Sequence, residues 1–392
     1  MNRAPVYLDN AASTAPDARV AALMNEVLAS PDGFGNPSSS HAYGEKARAR
    51  IATARAQVAA AVGCEPGDVI FTSGATEADN LALFGVTAYY RNRGRHLVTS
   101  RTEHKAVAEA ARSLEKQGWQ VAWLTPGPDG RIQPQQVADA LRDDTVLASI
   151  MHVNNETGAI NDIAAIAALC QARGVPLHVD AAQSLGKLPL RLAEWGVALA
   201  SLAAHKAHGP KGAGALVLRR ASGVQIAPLS QGGGQESGLR SGTLATHQIA
   251  GMGLAAELAH REGLADLPRL RELSARLEEQ LGALGAVLRN APAQACVPHI
   301  LSLSFQGVEG ESLLASVSDA IAVSTGSACD SAHADASYVL RALGRDPRLA
   351  EATLRFGLSR FTTDADIGVA VQAVGAAVAR LRAVSGFTAP GA

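Results

Sequence analysis

The stretch Val69-Ile-Phe-Thr-Ser-Gly-Ala-Thr-Glu77 decides the fold. Val69-Ile-Phe71 is a short run of strand formers, Thr72-Ser-Gly74 interrupts it, and a helical pattern holds from Ala78 to Ala88. A strand that turns through glycine directly into a helix is half of a βαβ unit. The unit recurs along the chain. His96-Leu-Val-Thr99 ends in Arg101-Thr-Glu-His104 before a helix from Ala106 to Lys116, and Gln120 to Leu124 is strand-like. The apolar run Val146 to Val153 leaves Asn154-Asn155-Glu156 at its end; after a helix over 162–173, Val175-Pro-Leu-His-Val179 ends in Asp180. Repeated strand, polar loop and helix predict a doubly wound α/β domain with a mainly parallel sheet. Ligands of such sheets sit beyond the carboxyl ends of the strands.

Outside this region the pattern changes. Residues 264–284 read as a charged amphipathic helix leading into a mixture: a strand at Ile300–Phe305, helices at Glu311–Val317 and Ser337–Leu343, and a strand-like run at Ala352–Phe356. A last helix spans roughly Thr363 to Val384, opened by the capping sequence Thr363-Asp-Ala-Asp366. At the other end, Val6-Tyr-Leu8 is a short strand, and Asp17 caps a helix with Val20, Leu23, Met24, Val27 and Leu28 at helical spacing. The expected division is a large domain over 16–262 and a smaller α+β domain built from 1–15 and 263–392.

Composition narrows the function classes. The 392 residues carry a net charge of −1, with 47% hydrophobic and 18% charged residues. That is a globular chain with ample core and no electrostatic grip on nucleic acid or anionic lipid. No run of uniformly apolar residues approaches the ~20 needed to span a bilayer, and residues 1–9 lack a signal-peptide core. Cys64, Cys170, Cys296 and Cys329 are scattered with no Cys-x-x-Cys pair, which predicts neither a disulfide framework nor a metal site. A cytoplasmic protein is expected.

The strand-end polar residues Thr76, His104, Asn155, Asp180, Gln183, His205 and Lys206 have the composition of one particular kind of site. Pyridoxal phosphate needs a lysine for its aldehyde, an acid for its pyridinium nitrogen, an anion cradle for its phosphate and a flat group over its ring. Lys206 follows small residues and precedes the glycine-rich turn Gly209-Pro-Lys-Gly212, a crowded, partly apolar strand–loop junction of the kind that favours Schiff-base chemistry. The helix start at Gly74-Ala75-Thr76 exposes backbone N–H groups suited to phosphate. Each residue also has a plainer reading: Lys206 as a solvated turn lysine, Thr76 and Asp180 as helix caps, Arg355 as a surface ion-pair partner, Cys329 as a buried inert thiol.

Taken together, the motifs resemble the NifS/IscS-like cysteine desulfurases, class V aminotransferases of pyridoxal phosphate fold type I. They are Phe34-Gly-Asn-Pro37, Thr72 to Glu77, Glu103-His104, His152-Val-Asn-Asn-Glu156, His178-Val-Asp180, Gln183, His205-Lys206, Arg240-Ser-Gly-Thr243 and Ser324-Thr-Gly-Ser-Ala-Cys329. The resemblance runs from Tyr7 to Thr363. It implies that Lys206 forms the internal aldimine and moves the Cα proton, that Asp180 pairs with the ring nitrogen, and that Gln183 bonds the ring oxygen. His104 would stack on the ring and help move the thiol proton, and Ala75, Thr76 and His205 would bind phosphate. Thr243 would reach in from the partner of a homodimer, and Asn155 and Arg355 would hold the substrate carboxylate. Cys329 would take sulfur from L-cysteine as a persulfide, release alanine and pass the sulfur to an acceptor protein for iron–sulfur clusters or other sulfur modification. Cys64, Cys170 and Cys296 read as packing residues.

Some positions depart from that pattern. Ala203 replaces the usual phosphate-binding serine, Ala198 a usual aspartate, and Ser359 a usual glycine, while Asp330 adds an acid beside Cys329. The first two predict thinner support for the cofactor; Asp330 predicts a raised thiol pKa. Competing expectations are a selenocysteine lyase or another pyridoxal phosphate lyase or aminotransferase, and a sulfur-assembly scaffold without chemistry.

Overall fold

The computed structural model describes residues 4–31, 33–325 and 336–387. Twelve strands are found among them: β1 (Val6–Tyr7), β2 (Val69–Thr72), β3 (His96–Ser100), β4 (Gln120–Leu124), β5 (Thr145–Ser149), β6 (Leu177–Asp180), β7 (Leu199–Ala203), β8 (Gly214–Leu218), β9 (Val287–Arg289), β10 (Ile300–Phe305), β11 (Ile321–Ala322) and β12 (Thr353–Gly357). Seven of them form a sheet in the order β2-β8-β7-β6-β5-β3-β4. All run one way except β8, which is antiparallel to both neighbours. The expected α/β fold with a mixed, mainly parallel sheet is present.

Alternation along these strands explains why both faces are covered. Phe71, Val98, Ala148, Ala200 and Val217 face one apolar cluster, which also takes Ile51 and Val58 of the helix Ala42–Val62 and Met252 of the helix Thr246–Glu262. Their neighbours Ile70, Leu97, Leu147, Leu199 and Leu216 face another, with Leu81 and Val86 of the helix Ala75–Tyr90 and Val107 of the helix Lys105–Lys116. A period of two with both faces apolar is the mark of a sheet sandwiched between helices. Each such Leu, Ile or Val contributes roughly 1.5–3 kcal/mol by leaving water.

A third cluster gathers Leu8, Leu273, Leu277, Leu301, Leu313, Leu354 and Val374. It lies between the antiparallel sheet β12-β10-β9, the parallel pair β1-β11, and the helices Leu267–Gly282, Gly310–Val317 and Asp364–Ser385. The helix Asp364–Ser385 is long and apolar enough to cross a bilayer by length and composition, with a mean hydropathy of 1.5. Its Ile367, Ala370, Val374, Ala377 and Val378 are buried in this cluster, and its Arg382 donates to the carbonyls of Leu284, Gly285, Ala286 and Gln306. The Thr363 capping box opens it as its sequence predicts.

Register sets what the carboxyl ends hold. Gly214 pairs with Thr72 on one side and Ala203 on the other, and Asp180 pairs with Ser201. The loops after β2, β3, β5, β6 and β7 therefore emerge side by side. A β-carbon on Gly214 would lie 2.5 Å from Gly74 Cα, so glycine is what lets β8 start against the helix that follows β2.

Candidate active site

These loops surround a cleft of about 480 Å³. Lys206 enters it from the connection between β7 and β8, which begins as a 3₁₀ turn at Ala204–Lys206. Its Nζ donates to the carbonyls of Ala11 (2.5 Å) and Ala12 (2.9 Å). The preceding His205 is anchored through its carbonyl, which accepts from the N–H and hydroxyl of Thr14 at 2.8 Å each. Its Nδ1 lies 3.3 Å from Ser13 Oγ. Burial, reinforced by Lys206, Lys211 and Lys187, pushes the His205 imidazole down to about 4, so it meets the cleft neutral.

The facing wall is acidic. Asp180, at the end of β6, is buried and accepts the Ala182 N–H at 2.9 Å. Donor atoms of Asp180, Asp79 and His104 all lie within 4.8 Å of one another. Asp79 comes from the helix Ala75–Tyr90 and is fully buried; burial first, then the Asp180 charge, raises its pKa well above the usual carboxylate range. It sits 3.6 Å from His178 Nε2, yet this is no ion pair, because burial pushes His178 down to about 3. His178 instead bridges Ser149 Oγ (2.8 Å) and Ser201 Oγ (2.9 Å) across three neighbouring strands. Glu103 is buried as well, receives Ser100 Oγ and the Met151 N–H, and is pushed up to about 8 by burial. His104 caps the next helix: its Nδ1 accepts from the Ala106 N–H at 3.2 Å, which leaves Nε2 to carry the proton of the neutral ring.

At one end of the cleft the helix Ala75–Tyr90 begins at Gly74 with no side-chain cap. Gly74, Ala75 and Thr76 line the cleft, and a β-carbon on Gly74 would meet nothing within 4 Å. Unclaimed N–H groups facing open space at the start of a sixteen-residue helix fit a phosphate. Glu77, in the same first turn, also lines the cleft, and its carboxylate is held by Arg240 (2.8 Å) and the Ser73 N–H. An amine, a buried acid and an uncapped helix start around one cleft are the donor set that pyridoxal phosphate requires.

At the other end Asn155 lines the cleft, and its carbonyl accepts from Arg355 Nη1 at 2.9 Å. Arg355, on β12, is fully buried rather than at the surface, pairs with Asp9 through Nη2 at 2.9 Å, and its Nε has no partner. Glu156 is pushed up to about 7, mainly by burial, and receives Ser337 Oγ at 2.5 Å. Ser324 accepts the Arg355 N–H at 2.7 Å, and the Tyr338 hydroxyl donates to the Glu103 carbonyl at 2.5 Å. The residues on either side of 326–335 are thus fixed at the cleft; Cys329 and Asp330 lie outside the described residues.

The aminotransferase class-V family pattern matches residues 6–369. The chain belongs to the class-V aminotransferase family. Over 382 residues it is 52% identical to the cysteine desulfurase IscS of Azotobacter vinelandii (strain DJ), covering 97% of this chain and 94% of the relative. IscS of Pseudomonas putida (strain W619) is 51% identical over the same length and shares. Among solved structures, a NifS-like protein superposes with a TM-score of 0.88 at 33% identity, covering 98% of this chain and 100% of that one. DndA from Streptomyces lividans superposes with a TM-score of 0.75 at 39% identity, covering 90% and 99%.

Within this class-V fold, the residues singled out in the sequence divide in three. Lys206, Asp180, Gln183, His104, Ala75, Thr76, His205 and Asn155 line the cleft. Arg355 lies behind Asn155, and Thr243 is exposed and outside the lining. Of the departures, Ala203 lines the cleft, where a serine hydroxyl would be placed, but Ala198 does not. It precedes β7 at the opposite end of the sheet, packed in the apolar cluster with Leu199 and Leu216. The expectation that Ala198 thins the lysine's support is therefore corrected: β7 separates the two. Ser359 closes a turn by accepting the Phe361 N–H. Cys64 and Cys170 are pushed up to about 12 by burial and Cys296 is raised by it, which disfavours the thiolate at all three. Asp79, Glu103, Lys187 and Lys211 carry the site's electrostatics; Glu103 and Lys211 stood inside sequence motifs without a role, and Asp79 and Lys187 were not singled out, the one available signal being the four-residue spacing of Gln183 and Lys187.

Proposed function

We propose that this chain is a pyridoxal phosphate-dependent cysteine desulfurase: a soluble cytoplasmic homodimer that converts L-cysteine to L-alanine and hands the sulfur to an acceptor protein. The observation that carries the reading is the cleft itself, with Lys206 and Asp180 on facing walls and an uncapped helix start between them, in a chain 52% identical to a cysteine desulfurase. Bound pyridoxal phosphate supplies an electron sink for breaking bonds at an amino acid's α- and β-carbons. The chain's own residues do the rest. Ala75 and Thr76 would hold the phosphate by backbone N–H groups, with neutral His205 beside them. Asp180 holds a proton-bearing ring nitrogen, and Lys206 is the amine that binds the aldehyde and carries a proton to and from the substrate.

Arg355 and Asn155 take the substrate carboxylate, the guanidinium exchanging its hold on the Asn155 carbonyl and Asp9 for that group. Cys329 is the nucleophile: its thiolate sulfur bonds the substrate sulfur, the substrate C–S bond breaks with its electron pair going to carbon, and a proton completes alanine. His104 helps move the substrate thiol proton, which its Nδ1 takes by giving up the Ala106 N–H. Thr243, exposed on the surface, contributes to the phosphate site of the second copy.

The test is direct. The purified protein loaded with pyridoxal phosphate should absorb near about 420 nm and release sulfide and alanine in equal amounts from L-cysteine with a thiol reductant. Cys329→Ala should keep the visible band and lose sulfide release. A colourless wild-type protein, or a Cys329→Ala variant as active as wild type, would overturn the assignment.

A further inference from the structure

We propose that Lys187 is a positioning residue of this site, holding the Gln183 amide so that only its N–H end faces the cofactor and placing a second cation beside Lys206. The proposal rests on the pyridoxal phosphate reading above and concerns a lysine outside the cleft's lining.

The geometry is a chain of hydrogen bonds. Lys187 Nζ donates to Gln183 Oε1 over a long 3.4 Å; Gln183 Nε2 donates to the Ala11 carbonyl at 2.7 Å; the same carbonyl accepts Lys206 Nζ at 2.5 Å. A carbonyl can only accept and an ammonium can only donate, so both partners require the same orientation of the Gln183 amide. Its oxygen is turned back toward Lys187, and its second N–H is what remains for the cleft. A donor there suits an anionic ring oxygen and disfavours a neutral hydroxyl, whose proton would need an acceptor. The spacing arises locally: after β6 the turn at 184–188 closes with the Lys187 and Leu188 N–H groups on the Ser184 carbonyl, which brings residues 183 and 187 to one side.

Among the described residues, Lys187 has no carboxylate of its own. Its far side faces a small cavity of about 40 Å³ shared with His208, His299, Asp17, Asp266 and Arg360. Asp17 and Asp266 are taken by Arg19 and Arg360, and Arg360 also holds Glu262. His299 is buried with neither ring nitrogen partnered, and burial together with the Lys187 charge keeps it neutral. Burial, joined by the Lys206 charge, pushes the Lys187 amine down to about 7. Two amines are thus linked through one carbonyl and one amide, and a positive charge on either disfavours one on the other.

The experiment follows the visible band of the cofactor-loaded protein, without substrate, as a function of pH. Removing a neighbouring cation should raise the midpoint of the band's protonation, by about one unit for Lys187→Met. Lys187→Arg, which keeps charge and donor, should stay near the wild-type midpoint. In a Gln183→Ala background the shift caused by Lys187→Met should shrink, since part of the effect runs through that amide. If Lys187→Met retains no cofactor, Lys187→Gln serves in its place, with the same expected direction. An unmoved midpoint in the loaded neutral variant, whatever its melting temperature, would overturn the proposal. A wild-type protein that develops no visible band would instead sink the functional reading on which it rests.

Discussion

The two walls of the cleft handle charge in opposite ways. On the lysine side, Lys206 is held by backbone carbonyls and Lys187 by an amide oxygen, and neighbouring histidines are driven neutral. On the acid side, two further carboxyls, Asp79 and Glu103, crowd around Asp180, and burial raises both toward their protonated forms. One wall sets its positive charge against carbonyl and amide oxygens; the other sheds surplus negative charge by protonation. The difference teaches what belongs between them. A ligand with an anionic end and a protonatable ring completes both walls, whereas a direct lysine–aspartate salt bridge would close the cleft.

The comparison breaks most severely at the lysine. Lys206→Ala should lower sulfide release from cysteine by on the order of 10³-fold or more, with loss of the visible band; a band that persists unchanged would place the attachment elsewhere. The acid wall predicts a pH-dependent stability. The folded Glu103 carboxyl is raised from its ordinary 4.5 to about 8, so its contribution is fully present below pH 4.5 and is lost as pH rises through 8. Glu103→Gln keeps the acceptor for Ser100 and Met151 and never ionises. Its melting temperature should therefore gain on wild type between pH 5 and pH 8.5, by a few kcal/mol at the upper end; a constant gap would show that Glu103 does not titrate there. The smallest effect sharpens the phosphate end. Ala203→Ser adds a hydroxyl to the cleft lining, worth about 1 kcal/mol or roughly fivefold in cofactor affinity, measured by competition dialysis; unchanged or weaker affinity would show that the hydroxyl finds no phosphate oxygen.

Most of the fold was legible because its signals are local. Asp17 and Thr363 cap the helices their sequences announce, and the β2 turn into its helix reads directly. The strand β7 was not legible: Leu199-Ala-Ser-Leu-Ala203 is short, lacks β-branched residues and reads as part of the lysine's loop. Tertiary pairing with β6 and β8 makes it a strand. The reversed direction of β8 has no local signature either. Within the site, residue types announced the chemistry of Lys206 and Asp180, but the neutral acids did not announce themselves. Asp79 sits in the polar helix segment Glu77-Ala-Asp-Asn80, which reads as surface; only the packed sheet beneath it reveals a buried acid.

The segment Asp9–Asp17 has a consequence for how the molecule comes into being. Its carbonyls hold Lys206 and Gln183, its Asp9 holds Arg355, and Thr14 and Asp17 tie down His205 and His208. Yet the segment itself is held in place by β1 pairing with β11, and by Asn10 and Asp9 against Gly357 of β12. A segment made early in synthesis therefore waits for strands made about three hundred residues later before the lysine is fully enclosed. A nascent chain should gain its competence to retain cofactor late, in one step, when residues 6–10 meet β11 and β12.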